Sequence, residues 1–145
     1  MSETSGRSPV GRVSFFWAAG CACLVGMAVF GERLAKPGGA GARFLAAHGS
    51  VALVLGAGCA VFFVIYALLE RTGRLRPKAS MGRAHAGATL LGVALMLLPA
   101  SFLSGLLTSP TLVYAAVGGY LLTLLAQALF VPVLLDAFRP RPDLR

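Results

Sequence analysis

The sequence predicts an all-α fold, an integral membrane four-helix bundle with both termini in the cytoplasm. Three observations predict it. Of the 145 residues, 57% are hydrophobic and only 12% are charged, whereas about a quarter of a typical soluble domain is charged. Four windows, 13–31, 44–69, 84–107 and 112–135, contain no Lys, Arg, Asp or Glu. At about 1.5 Å per residue each can cross a hydrocarbon core about 30 Å thick, and backbone groups with no water to bond must satisfy one another as helices. The third observation is where the basic residues fall. Arg7 and Arg12 precede the first window, Arg71, Arg74, Arg76, Lys78 and Arg83 lie in the 70–83 connection, and Arg139, Arg141 and Arg145 follow the last. The 32–43 connection carries Arg33, Lys36 and Arg43, and the 108–111 connection carries none. Positive charge gathers on the cytoplasmic side, which places both termini and the 70–83 connection inside.

In chain order, residues 1–12 form a flexible cytoplasmic N-terminus, polar and rich in Ser and Gly. The transmembrane domain covers 13–138. Its first span, VSFFWAAGCACLVGMAVFG, follows basic residues as a signal peptide does, but its apolar run exceeds the usual h-region and it reads as uncleaved. Pro37-Gly38-Gly39 then marks an external turn. The second span, 44–69, has one strongly polar side chain, His48, just inside its outer end. Stepping by four from that histidine gives Ala52, Gly56 and Ala60, a small-residue packing seam on which helix backbones can approach closely. On this reading His48 points into protein. The third span carries Pro99 in its outer half, where a kink is expected. Ser109-Pro110 makes a tight turn, so spans three and four form an antiparallel hairpin. Residues 139–145 form a proline-broken cytoplasmic tail.

The net charge of +8 is therefore a topology signal, strengthened by contact with anionic lipid head groups. No recognition module accompanies it that would point to nucleic acid. The acids Glu32, Glu70 and Asp136 sit at span ends, so no carboxylate occupies the mid-membrane position typical of proton-coupled transporters. No Ser-His-Asp set, glycine-rich phosphate loop or paired carboxylates can be assembled.

His48 is the leading candidate ligand, because imidazole binds metals and haem iron and an intramembrane polar residue marks function by default. The alternative is an interfacial histidine bonded to a carbonyl, Ser or water. Met27 lies at a matching depth on span one and is the candidate second axial ligand, or else a packing residue. A homodimer sharing His48, or a five-coordinate haem, meets the same geometry. His85, one residue into span three, lies at the opposite depth and is expected to cap a helix start or face head groups. Cys21, Cys23 and Cys59 lack redox or zinc spacing and read as packing residues. Gln127 reads as interhelical glue, and Tyr66, Tyr114 and Tyr120 suit interfacial or interhelical positions.

The segment CLVGMAVFGERLAKPGGAGARFLAAHGSVALVLG, residues 23–56, resembles the first two spans of haem–copper (cytochrome c) oxidase subunit I. The four-span layout, with its basic link into GRAHAGATLLG, resembles short bacterial proteins related to that subunit. The resemblance implies that His48 takes a low-spin haem-ligand position. The chain departs from the pattern at Ala46-Ala47-His48, where the short relatives often pair two histidines. The later helices that carry the copper-site histidines are missing, so the resemblance does not extend to oxygen reduction.

Two functional expectations follow. The first is a non-catalytic protein of a bacterial inner membrane, accessory to a respiratory or electron-transfer complex and binding one haem through His48. The alternative is a small homo-oligomeric carrier or channel for a metal ion or small solute, with Cys21, Cys59 or Gln127 lining a wet path. A structural reading stands beside them, in which small-residue helix faces dock other membrane subunits or a second copy.

Overall fold

A computed structural model describes residues 12–34, 37–75, 78–102 and 109–140. The expected flexible N-terminus up to residue 11 and the tail from 141 lie outside the described residues, as does the stretch 103–108 between the third and fourth helices. The chain forms an all-α four-helix bundle of α1 (Val13–Leu34), α2 (Ala40–Arg71), α3 (Ala79–Phe102) and α4 (Ser109–Ala137). All four helices are long and apolar enough to cross a membrane.

The helices overrun the charge-free windows. α2 begins at Ala40, before Arg43, and α3 begins at Ala79, before Arg83. A charged side chain ends the segment that hydrocarbon tolerates, but the backbone continues as helix into the head-group region, where long cationic side chains reach water. Ser109-Pro110, expected as a turn, forms the first turn of α4 instead. A proline costs nothing there, since the N–H it lacks has no intrahelical partner. The predicted turn at 37–39 is present, with Gly38 at φ +72°. At the far end of α2, Gly73 at φ +70° reverses the chain, and the Leu75 amide donates to the Leu69 carbonyl at 3.2 Å. Both leucines are buried, so an apolar contact closes the helix end.

α1 packs along α2 and α3 packs along α4, and α3 joins the two hairpins. The α3–α4 crossing is built on two glycines. A Cβ on Gly92 would lie 2.6 Å from the Gly119 carbonyl, and one on Gly119 would lie 2.5 Å from the Gly92 carbonyl. On α2, Ala52 and Gly56 are buried, with Gly56 against Leu24 and Val25 of α1, and Ala60 is half-buried. His48 departs from the expectation: in the single chain its side chain is exposed. The buried line of α2 runs Ala52, Gly56, Cys59, Tyr66, Leu69, and one turn before it the Cβ position of Gly49 lies 3.7 Å from the Ala28 carbonyl.

Side-chain latches gather one end of the bundle. The Val13 amide donates to Glu70 Oε1 at 2.6 Å, and the Ser14 amide and hydroxyl donate to the same carboxylate. An acid from α2 thus caps the positive N-terminus of α1. Arg74 donates to the Ala137 carbonyl at 2.7 Å, satisfying the C-terminus of α4. Residues 13 and 137 therefore lie at the same end.

Candidate functional site: a buried histidine cluster

The most polar part of the interior lies one to two turns above those latches. Its centre is His85, which has no exposed surface. α3 positions it on a buried line of Gly82, His85, Ala86, Thr89 and Val93. Gly82 matters because a Cβ there would press on the Tyr66 ring at 3.0 Å.

Hydrogen bonds to side chains of α2 and α4 define which ring nitrogen carries the proton. Gln127 Nε2 lies 3.1 Å from the Thr123 carbonyl, which can only accept, so the amide must present its NH₂ there. The same NH₂ reaches Thr89 Oγ1 at 3.4 Å. The amide oxygen consequently faces His85, 3.3 Å from Nε2, and Nε2 must be the donor. Nδ1 is then the acceptor, and the Tyr66 hydroxyl donates to it at 2.9 Å. One backbone carbonyl thus sets the tautomer of a histidine two side chains away. The relay joins α2, α3 and α4.

Four aromatic rings close around the imidazole. Phe130 stacks on it at 5.1 Å between centroids and 22° between planes, and Phe62 meets it edge-on at 5.0 Å. Trp17 of α1 lies 5.0 Å away and stacks on Phe62 at 4.6 Å. Tyr66 completes the set at 5.9 Å. Every helix contributes at least one ring or polar group. The Trp17 indole nitrogen is buried without a hydrogen-bond partner among the described residues. With both His85 nitrogens engaged and the ring enclosed, the chemistry on offer is cohesion between helices.

The expectation that His85 caps a helix start or faces head groups is corrected. α3 begins six residues earlier, at Ala79, so His85 sits nearly two turns inside the bundle. Measuring depth from the last charge, Arg83, hid that extra length. Gln127 acts as the interhelical glue expected of it, and Tyr66 is interhelical. Their joint partner was the missing signal, and separations of 19 and 42 residues leave no local pattern to reveal it.

The other candidates are dispersed. Met27 is half-buried and lines a cleft between α1 and α3 to which His48 does not contribute. Cys59 is buried, Cys21 half-buried and Cys23 exposed, and all three are free thiols. No group of three or more His, Cys, Asp or Glu side chains suited to a metal ion occurs among the described residues. No protein-family model, no curated protein and no solved structure matches the chain.

Proposed function

We propose that the chain is a small non-catalytic subunit of a bacterial inner membrane, N-in and C-in, that docks against another membrane protein in a respiratory or electron-transfer assembly. The observation that carries the docking part is the closed interior. Tyr66, His85, Thr89 and Gln127 bond to one another, which leaves the outward helix faces as the surface available to a partner. Cys59 and Gln127 belong to the packed interior, which favours docking over a carrier with a wet path along them. The respiratory setting rests on the resemblance of residues 23–56, and the orientation rests on the basic residues.

A haem on His48 fits this reading only at a surface. His48 is exposed on α2, while Met27 faces the α1–α3 cleft, so a second axial ligand is better supplied by a second copy or a partner chain. When bound there, haem would supply one-electron chemistry, and this chain's part would be to hold the iron through one imidazole. The test is an optical spectrum of protein purified in mild detergent from haem-replete cells, oxidised and dithionite-reduced, beside His48→Ala. A Soret band and reduced α-band that disappear in the variant are the expected result. A colourless wild type removes the haem. A wild type that elutes as a lone monomer with no associated membrane protein removes the docking reading.

A further inference from the structure

α1 and α3 close on each other only toward the latched end, where Leu90 lies over Gly20 and Trp17 meets His85. Beyond that point they leave a cleft of about 570 Å³, lined by Ala19, Cys23, Gly26 and Met27 on one side and Leu90 and Leu97 among others opposite. The volume falls in the range of about 300–1,000 Å³ typical of small-molecule sites, yet the lining's only polar side-chain atoms are the weakly bonding sulfurs of Cys23 and Met27. It is also open along the flank on which Cys23 is exposed. In a membrane that flank faces acyl chains.

Length decides between occupants. Along α1 the lining runs from Ala19 to Gly31, about 18 Å of helix axis at about 1.5 Å per residue. That is the depth of one leaflet of a core about 30 Å thick, whereas a spanning partner helix needs a seat along the whole core. The inner end is closed by Leu90 and the aromatic cluster. The outer end has a charge in the right place. Arg33 follows Gly26 by seven residues, two helical turns, which returns it to the same side of α1, and it is exposed. A guanidinium at the level of the head groups pairs readily with a phosphate through parallel hydrogen bonds.

We propose that the α1–α3 cleft is a lipid site, holding one acyl tail of an anionic phospholipid with its phosphate at Arg33. The tail fills the space where the two hairpins part, at the end opposite the histidine cluster. The lipid belongs to the leaflet on the side of the α1 C-terminus.

Native mass spectrometry of the full chain in mild detergent, with phosphatidylglycerol and phosphatidylcholine added in equal amounts, tests this. Wild type should retain one phosphatidylglycerol in preference to phosphatidylcholine, whose phosphate charge is offset by its own choline cation, by about ten-fold. Gly26→Leu should lose retention of both lipids, because its Cβ position has nothing within 4 Å and the new side chain grows into the cleft without displacing protein. Arg33→Gln should retain the two lipids equally. A phosphatidylglycerol carrying a photoreactive group on its tail, which needs no substitution, should label the Cys23–Met27 segment of wild type. A wild type that retains no lipid, a Gly26→Leu protein that retains as much as wild type, or photolabelling confined to other segments overturns the proposal. So does a co-purified polypeptide or an uncharged isoprenoid in the lipid's place.

Discussion

If His85 is the keystone of the bundle, the loss from truncating it should split into separable packing and polar parts. His85→Ala removes a ring with no exposed surface from contact with four aromatic side chains. Truncating a buried aromatic ring costs about 3–5 kcal/mol where the surroundings cannot collapse. The same substitution leaves the Tyr66 hydroxyl and the Gln127 amide oxygen without their bonds at 2.9 and 3.3 Å. Interhelical hydrogen bonds in membranes average only about 0.6 kcal/mol, so the two together contribute about 1 kcal/mol. His85→Phe restores the volume and keeps the polar loss, and Tyr66→Phe removes one bond while leaving both rings. The expected order of destabilisation is His85→Ala far above His85→Phe, with Tyr66→Phe comparable to the latter. Unfolding in mild detergent can be followed by the fluorescence of Trp17, the single tryptophan of the sequence, whose ring stacks on Phe62 and lies beside His85. A His85→Ala protein within about 1 kcal/mol of wild type, well below the cavity cost, would refute the keystone role. A His85→Phe protein as unstable as His85→Ala would refute the division into a large packing part and a small polar one.

Two further substitutions probe how the bundle is joined. Gly92→Ala places a methyl 2.6 Å from the Gly119 carbonyl, so α3 and α4 must separate; overpacking of this kind costs about 1–3 kcal/mol, and a drop in unfolding midpoint checks it, with Gly87→Ala, whose Cβ position is open, as the neutral control. Glu70→Gln keeps an acceptor for the α1 amides but removes its charge, at a cost of about 0.3–1 kcal/mol for a carboxylate at a helix N-terminus. Faster amide exchange at Val13 and Ser14, with little change at the α3–α4 crossing, is the expected pattern.

The helices were legible because hydrocarbon tolerates so few residue types. A window without Lys, Arg, Asp or Glu is a direct reading of the solvent, and the described residues of all four windows are helical. Helix ends were less legible, because Arg43 and Arg83 end the apolar run without ending the helix. Ala52 and Gly56, both buried, stood out in the sequence by residue size alone. The exposure of His48 could not be read from spacing, because His48 lies five full turns from the buried Tyr66 and so at the same angle on α2. The histidine cluster was half legible. Gln127 and Tyr66 stood out as polar residues in apolar spans, but His85 was judged from a span boundary set one and a half turns too late. Which polar groups meet across three helices is fixed by packing at Gly82, Gly92 and Gly119, whose close approaches no one-dimensional spacing encodes.

The two ends of the bundle are built on different chemistry. At one end Glu70, Arg74, Tyr66, His85, Thr89 and Gln127 make directional bonds between helices, and the aromatic rings fill the space among them. Directional bonds admit few alternative arrangements, so this end holds its geometry. Toward the other end α1 presents Ala19, Cys23, Gly26 and Gly31 to a cleft lined by apolar side chains, and contacts of that kind vary smoothly with separation. The side chains that line the cleft meet an occupant through dispersion contacts, which lipid tails can also supply. An occupant of the cleft therefore packs against both hairpins at once, against α1 of one and α3 of the other. A partner that docks on α1 or α3 near Gly31 and Leu98, which line the cleft, would meet that occupant, so cleft occupancy and docking should be coupled. Filling the cleft by Gly26→Leu should then change partner affinity even though Gly26 need not touch the partner.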